Sequence, residues 1–583
     1  MILFVFLVLA LGARPVFASA PLNTQGSIYV STNNFEGLNQ LQNGAVPPDV
    51  QLAVGPNYAV EVTNFKIGIF SKATFSLVAS YNFCQFSATC GGFDPKILYD
   101  SSSGRFFLTT ANYGTASVNL AVSNSSDPTI VPWASYPTLL NVGSGNCPDS
   151  DRIGVTDDKI IVSALAYTAG TSGCSSGFNT VQDYWVVKKS DLTSGISSPA
   201  VQGFSDSSSN LFFANTARSL TSTTTGYLVA EFVDGTALSL VTITGVPPNV
   251  PTPVKTTIPL ATRIAGEMGA PQPGTNATVP INGNIINDVV WYGGNLWITA
   301  NDGCTPSGDS QQRDCLRLTQ INTNSPVTVR QDFDFGTNGK YYFDGALSTD
   351  ASGNLEVVYG FSSTTDYPSI GVVGQDATNP AGTLSLPQTI LVGTKPDLQG
   401  RYGDYFGAST DPTSIFVWFA GEYFTDLNGT CPFSYCWSTR IGYMMVAGVS
   451  SNFSPPTIYQ SYQTVCKPMC HTSPNVMLNS TILTLSGFNG YGGTVTATIS
   501  PFYSSAVSGP VTKFVATGTN TETFTIPANG QVSDNIQVFS CRATPAGQYV
   551  FTVTLTSSGL INGKTGQFTV LVSGTNTSQS CPS

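Results

Sequence analysis

The chain has 583 residues, a net charge of −11 and 10% charged residues, well under the ~25% usual in soluble domains. Its 34 acidic and 23 basic residues include no Lys/Arg run able to neutralise phosphates, which argues against nucleic acid and anionic membrane surfaces as partners. A surface with few charges, mostly carboxylates, changes little as pH falls, so the composition suits an acidic habitat as well as ordinary export.

The first predicted element is Ile2 to Gly12, an apolar run too short to span a bilayer. Ala18-Ser19-Ala20 follows as a small-x-small cleavage signal, so residues 1–20 read as a secretory signal peptide, although no Lys or Arg precedes the apolar core. No later stretch is long and apolar enough for a membrane anchor. Residues 21–45 are polar and rich in Gly and Asn, and are expected to supply a strand that closes a ring.

From about residue 46 to 455 a similar unit recurs seven times, and six of the seven open on aspartate. The units are Asp49-Val-Gln-Leu-Ala-Val-Gly, Asp94-Pro-Lys-Ile-Leu-Tyr-Asp, Asp151-Arg-Ile-Gly-Val-Thr-Asp, Asp288-Val-Val-Trp-Tyr-Gly-Gly, Asp344-Gly-Ala-Leu-Ser-Thr-Asp and Asp404-Tyr-Phe-Gly-Ala-Ser-Thr-Asp. The seventh, near Asn215-Thr-Ala-Arg-Ser-Leu-Thr, lacks the aspartate. In each, an apolar run meets a turn rich in Gly, Asp, Ser or Asn, and a second β-rich run follows, such as Lys159-Ile-Ile-Val-Ser-Ala. Successive aspartates lie 45, 57, 137, 56 and 60 residues apart, and the gap of 137 holds two units. A period of this size, all strand and turn, predicts an all-β chain whose residues 21–455 form a seven-bladed β-propeller, six blades being the alternative count.

Pro455-Pro456 opens an expected linker over residues 456–474. Residues 475–583 then show strands at Ser480-Thr-Ile-Leu-Thr-Leu, Gly493-Thr-Val-Thr-Ala-Thr-Ile, Thr521-Glu-Thr-Phe-Thr-Ile, Gly547-Gln-Tyr-Val-Phe-Thr-Val-Thr-Leu and Gln567-Phe-Thr-Val-Leu-Val. That spacing predicts an immunoglobulin-like β-sandwich. The pattern Pro545-Ala-Gly-Gln-Tyr-x-Phe-Thr-Val resembles the bacterial and archaeal Ig-like modules appended to secreted proteins, which space, dock or stabilise.

Twelve cysteines in an exported chain read as disulfides. Spacing suggests Cys84–Cys90, Cys147–Cys174, Cys304–Cys315, Cys431–Cys436 and Cys466–Cys470, leaving Cys541–Cys581 by elimination. A zinc reading of Cys466-x-x-x-Cys470-His471 needs a fourth ligand and a reducing compartment. Sequons at Asn124, Asn276, Asn428, Asn452, Asn479 and Asn576 fit a glycosylated exterior.

Four segments, Pro47-Pro-Asp-x-x-x-Ala-Val-Gly-Pro56, Asp94-Pro-Lys-x-x-Tyr-Asp-x-x-x-Gly-Arg105, Asp151-Arg-x-Gly-Val-x-Asp-Asp and Arg401-Tyr-Gly-Asp-Tyr405 with Asp411-Pro and Glu422-Tyr423, carry a resemblance to secreted prokaryotic propeller proteins. These are grouped with the sialidase-like (BNR/Asp-box) propellers and mostly lack an assigned activity. Ser125-Ser-Asp127-Pro-Thr-Ile-Val-Pro-Trp133 and Ser409-Thr-Asp411-Pro-Thr-Ser-Ile-Phe-Val-Trp418 resemble degenerate Asp-boxes without the glycine, which in that family sit on outer hairpin turns and are structural. Sialidases also use three arginines around a carboxylate and a tyrosine–glutamate pair. Arg152, Arg401 and Arg105 are candidates for the first, and Tyr405 or Tyr402 with Glu422 for the second, but none matches the sialidase pattern by motif.

His471, in the linker, is the only histidine, which excludes a Ser-His-Asp triad or a His-rich metal site within the propeller. What remains is Asp, Glu, Tyr and Arg, suited to glycosidic-bond chemistry with paired carboxylates or to binding hard cations and polar ligands through oxygen. The recurrent aspartates Asp49, Asp94, Asp151, Asp288, Asp344 and Asp404 are candidates for a Ca²⁺-binding ring at one channel mouth, with Arg152, Arg401 and Lys96 as alternative counter-charge. Equally, an Asp before a strand accepts backbone N–H bonds and holds a turn between blades. Candidate catalytic residues are Asp151, Arg152, Arg401, Asp404, Tyr405 and Glu422. Three function classes follow: a secreted or cell-surface recognition protein whose propeller binds glycan, protein or Ca²⁺; an extracellular glycoside hydrolase or lyase; and a surface-layer or filament component.

Overall fold

The computed structural model describes residues 27–30, 34–86, 90–170, 174, 180–262, 264, 269–281, 283, 285–432, 435–454, 457–462, 477–488, 492–504, 508–527, 530–540, 544–556 and 562–574. The signal peptide, Cys466, Cys470, His471, Cys541, Asn576 and Cys581 lie outside them.

The chain is nearly all β, 57% strand and 4% helix. Among the described residues, seven antiparallel groups of four strands follow one another along it. Their innermost strands are Gln51–Val54, Phe93–Asp100, Asn146–Val155, Asn215–Thr216, Ile286–Tyr292, Tyr341–Thr349 and Gly407–Thr410. Each contacts the next, and the last contacts the first, which closes a ring. This is a β-propeller.

The sequence pattern explains the layering. Each sheet is covered on both faces by its neighbours, so inner strands such as Leu355–Ser362 are buried at every position. Outer strands face solvent, and Ser76–Asn82 is exposed or half-buried throughout. The core therefore lies between sheets rather than at one centre. Val60, Val62 and Ile67 pack on Ile97, Phe106 and Leu108, while Phe107 and Leu120 pack on Ile153 and Val162. At the axis the inner strands come so close that glycine is required. A Cβ on Gly154 would meet the Ala217 carbonyl oxygen at 2.4 Å, and one on Gly407 the Leu52 nitrogen at 2.5 Å.

The N-terminal segment closes the ring, as its position suggested. Ser27–Val30 and Phe35–Asn39 pair with Cys436–Ser454, completing the group that begins with Gly407–Thr410. Cys436–Ser454 is 19 residues long and does not stop at the propeller edge. Its last residues pair with Met477–Phe488, from Gly448↔Phe488 to Ser454↔Ile482. Thr457–Tyr462, expected in the linker, is a strand parallel to Asn562–Gly574. The difference is physical: an edge strand with free N–H and C=O groups extends pairing into the next sheet. The C-terminal residues form a two-sheet sandwich around Phe453, Ile458, Leu483, Phe514, Phe551 and Phe568.

Four expected disulfides are present, Cys84–Cys90, Cys147–Cys174, Cys304–Cys315 and Cys431–Cys436. They are consistent with an extracellular protein. No helix among the described residues is long and apolar enough to cross a membrane, which leaves β-barrel insertion unaddressed.

Candidate functional site

The recurrent aspartates sit where the chain enters each inner strand. Asp49, Asp94 and Asp344 all adopt left-handed backbone, at φ 53, 50 and 54. Aspartate tolerates that region better than most residues, which is one physical reason for the repeat. Their polar groups then tie blade to blade. Asp49 accepts the Asp404 N–H at 2.9 Å and the Asn64 side-chain amide at 2.6 Å. Asn64 in turn accepts the Asp94 N–H at 2.8 Å, and the Asp94 carboxylate takes the Ser150 N–H at 3.3 Å. Across the ring the motif repeats: Asn301 accepts the Asp344 N–H at 2.9 Å and donates to its carboxylate at 3.1 Å.

The six aspartates are not equivalent. In the third blade the left-handed residue is Ser150, at φ 51, and Asp151 follows it. In the fourth it is Phe213, at φ 55. Asp288 comes after a register shift that begins at Ile286, and it ion-pairs with Arg218 at 2.8 Å. A one-residue slip turns a side chain to the other face of the strand, so the expected even ring of carboxylates becomes a cluster and outliers. Asp49, Asp94 and Asp404 come together with Asp151 beside them, while Asp288 and Asp344 serve other blades.

That cluster surrounds Tyr405, which is 2% exposed. Lys96 Nζ lies 2.7 Å from the ring centroid, and the Arg152 guanidinium carbon 4.4 Å from it. Arg152 Nη1 donates to the Tyr405 hydroxyl at 3.1 Å. These cation–π contacts are worth the most where water is excluded. Burial and then the charges of Asp404 and Asp94 raise the Asp49 pKa, burial and Asp404 raise that of Asp94, and burial and Arg152 lower that of Lys96. The Asp151 carboxyl makes no hydrogen bond of ordinary geometry. Burial pushes it up to about 7, and the Thr109 hydroxyl, Lys96 and Arg152 offset only part of that.

Glu422 is fully buried, and its Oε2 accepts the Gly403 N–H at 2.9 Å. Burial and then Asp397 push it well above the usual carboxylate range. The Tyr402 hydroxyl donates to the Glu422 backbone carbonyl at 2.9 Å rather than to its carboxylate. Arg401 is half-exposed and ion-pairs with Asp404 at 3.0 Å. Arg105 stands opposite Asp100 in the strand register, at the end of its sheet away from Asp94, whereas Arg152 and Arg401 lie at the Asp94 end, so the three arginines are not brought together. Of the degenerate Asp-boxes, Asp127 caps the turn before an outer strand, bonding the Thr129 N–H at 2.9 Å. Asp411 lies on an inner hairpin and binds Lys72 of the first blade at 2.8 Å and Trp418 Nε1 at 3.0 Å. Both are structural.

Below this cluster the channel narrows to a space of about 20 Å³ lined by Gln51, Lys96, Arg152, Asn215 and Asp288, about the room of one water. Above it opens a cavity of about 550 Å³. It is lined by Asp149 and Ser150 of the third blade, Phe212, Phe213, Glu231 and Phe232 of the fourth, and Arg401 and Asp404 leading into the seventh. The long connection from Pro259 to Ile286 contributes Gly283 and Ile285 to its wall. That connection is pinned at a distance: Gln272 and Asp397 exchange two hydrogen bonds of 2.7 Å, and Ala270 and Val279 enter the core around Phe343 and Tyr402.

Two cavity carboxyls stand out. Burial and Asp94 push Asp149 up to about 6, with the Tyr113 hydroxyl donating to it at 3.2 Å. Burial and Asp302 push Glu231 up to about 8, and its Oε2 has no hydrogen-bond partner. Sequence reasoning missed both, together with the phenylalanines. The available signals were an acidic residue ending the apolar strand Tyr227-Leu-Val-Ala-Glu231 and the length of the connection after Pro259.

No protein-family model matches the chain, and no curated protein matches it in sequence. In structure it is similar to the WD40 domain of SCAP from fission yeast, at 9% identity over 73% of this chain and 94% of that one, with a TM-score of 0.32. It is also similar to Trypanosoma rangeli sialidase in complex with the inhibitor DANA, at 10% identity over 82% of this chain and 88% of that one, with a TM-score of 0.30. Likenesses of this size carry no activity across, and the propeller assignment rests on the chain's own strand pairing.

Proposed function

We propose that this chain is a secreted recognition protein, a seven-bladed propeller followed by an Ig-like spacer sandwich, whose cavity at the aspartate-bearing mouth binds a glycan. The observation that carries this reading is the contrast between an open cavity of about 550 Å³ and a plugged channel beneath it. The cavity falls in the size range of ligand sites, with aromatic side chains and a few polar groups in its wall. Of the residues proposed from sequence as catalytic, Asp151, Arg152, Tyr405 and Glu422 are at most 3% exposed, so a substrate at the mouth reaches only Arg401 and Asp404.

One observation favours hydrolysis as a second reading. Asp149 and Glu231 share the cavity with raised pKa values, the preparation a general acid needs. The Ca²⁺ reading narrows to Asp49, Asp94 and Asp404, where Lys96, Arg152 and Arg401 already supply counter-charge. A glycan array with the wild type and Phe213→Ala separates these outcomes. Binding lost on substitution supports the recognition reading, and equal binding by both proteins removes the cavity from it. Turnover of chromogenic glycosides that disappears in Glu231→Gln would replace recognition with catalysis.

A further inference from the structure

A separate cavity of about 330 Å³ lies between the fifth and sixth blades, at the ends away from the recurrent aspartates. The turns that follow the two inner strands, at Tyr292-Gly293 and Ser352-Gly353, form its rim. That rim is fixed. The Tyr292 hydroxyl donates to the Ala351 carbonyl at 2.7 Å, and its ring lies so close to Gly353 that a Cβ there would meet Tyr292 Cε1 at 2.7 Å. The volume falls in the range of ligand sites.

The wall is built on one row of side chains. Trp297, Gln320 and Gln331 stand opposite one another on Asn295–Cys304, Arg313–Asn322 and Thr328–Phe335, and opposite residues share a face of the sheet. Gln331 is fully engaged: its Nε2 donates to Gln320 Oε1 at 2.8 Å and Gln375 Oε1 at 2.9 Å, and its Oε1 accepts the Gly382 N–H at 2.8 Å and Gln375 Nε2 at 3.1 Å. Gln375, of the sixth blade, also donates to the Thr383 carbonyl at 3.1 Å. Gln320 is left over. Because its Oε1 is taken by Gln331, the network fixes which way its amide points. Its Nε2 donates to no group among the described residues and keeps access to solvent. A donor is thus held in place before any ligand arrives.

Arg330 supplies the charge. The register slips between Gln320↔Gln331 and Ile321↔Val329, so Arg330 is the extra residue of a β-bulge, a device that re-aims a side chain. It is exposed and lines the cavity, and its Nη1 donates to the Asn295 side-chain oxygen at 3.1 Å. Among the described residues no carboxylate pairs with it, which leaves Nε and Nη2 as an open fork. No Asp or Glu lines this cavity, in a chain that carries 34 of them. The acidic residues nearest in sequence, Asp350 and Asp376, are 1% and 3% exposed and accept the Ser352 and Thr378 N–H groups of their own turns at 2.8 and 2.9 Å.

We propose that this groove binds an acidic sugar, a uronate, independently of the mouth cavity. The Arg330 fork takes the carboxylate, a planar match that a guanidinium makes with two parallel hydrogen bonds. Gln320 Nε2 donates to a ring hydroxyl. One cation without a carboxylate beside it suits a single negative charge, and a wall of amides suits a ligand that is otherwise hydroxylated.

Calorimetry of the purified mature chain tests this with trigalacturonate, with its methyl ester, which keeps the rings and loses the charge, and with tricarballylate, which keeps carboxylates and has no ring. The expected result is binding of trigalacturonate that is about tenfold weaker for the methyl ester and in Arg330→Gln, the loss of one charge-assisted contact. Gln320→Glu still accepts from Gln331 and sets a negative charge where Nε2 donated, so it is expected to weaken binding as much. Both positions reach solvent, and both variants are expected to fold. Equal affinity for the methyl ester overturns the acid, and equal affinity for tricarballylate overturns the sugar. Binding that survives both groove variants and is lost in Phe213→Ala overturns the groove and assigns the acidic sugar to the mouth cavity. Silence with every probe, in folded protein, overturns the inference and leaves the mouth cavity to its own test.

Discussion

At the residue scale, the same amino acid does opposite work at two neighbouring positions. Asp49 has two donors, the Asp404 N–H and the Asn64 amide, both inside the protein. Replacing it with alanine orphans them, and a buried unsatisfied group costs about 1–3 kcal/mol. Asp49→Ala is expected to lose about 3 kcal/mol in denaturant unfolding, and Asp49→Asn much less, because an amide oxygen still accepts and the repulsion from Asp94 and Asp404 falls. Asp151 is the reverse case: buried, without a well-formed hydrogen bond, and pushed up to about 7. Asp151→Asn is expected to raise the thermal midpoint above pH 7 and to change it little at pH 5, where the wild-type carboxyl is protonated. A midpoint lowered equally at both values would show that the ionised carboxylate is needed. The aspartates were legible as a repeat because each begins an apolar strand. That Asp151 and Asp288 stand out of register was not, since a bulge leaves no mark in composition.

At the element scale, strands and turns followed from sequence because each blade obeys local rules, whereas the long connections did not. Pro259 to Ile286 reads as loop, yet Gln272 and Asp397 fasten it to a segment more than a hundred residues away. The disulfides are the clearest test of local elements. In the chain-entropy account, a bridge stabilises by closing a loop in the unfolded chain, more for longer loops. Cys147–Cys174 spans 27 residues and Cys431–Cys436 spans 5. Their double serine variants are expected to lose roughly 3.5 and 2 kcal/mol respectively. Reversal of that order in denaturant midpoints would show that native-state contacts around the shorter bridge, at the ring closure, outweigh loop entropy.

At the scale of the whole molecule, stability should peak on the acid side of neutrality. Glu61, Asp151 and Asp334 are pushed up to about 7, Asp149 to about 6 and Glu231 to about 8, burial being the first cause in each. The folded state therefore holds protons between about pH 4 and 8 that the unfolded chain has lost, so stability falls as pH rises through that window. Lys96, whose pKa burial and Arg152 lower, works in the opposite sense. Asp206 and Asp411 are lowered although burial alone would raise them, because hydrogen bonds, those from Lys255 and Lys72 foremost, outweigh it. What they add to stability is present above the ordinary carboxylate range and is lost as pH falls below it. The thermal midpoint is expected to be highest near pH 5 and to drop by several degrees by pH 8. A profile that is flat or climbs to pH 8 would refute this account. The result would also bear on the acidic habitat that low surface charge suggested.

The sequence by itself determined the class of fold: a repeat of strand and turn with few charges cannot bury its apolar faces except against copies of itself, and an N-terminal strand was left over to close the ring. It also determined the four described disulfides, because short-loop cysteines have few partners. Tertiary structure alone decided which carboxylates meet. Ring closure places residues 355 positions apart, such as Asp49 and Asp404, in one hydrogen bond. It likewise gathers Asp149, Glu231 and Phe213 at one mouth, where burial raises the pKa of both carboxyls. No local spacing encodes that desolvation, since it depends on which blades face one another across the axis.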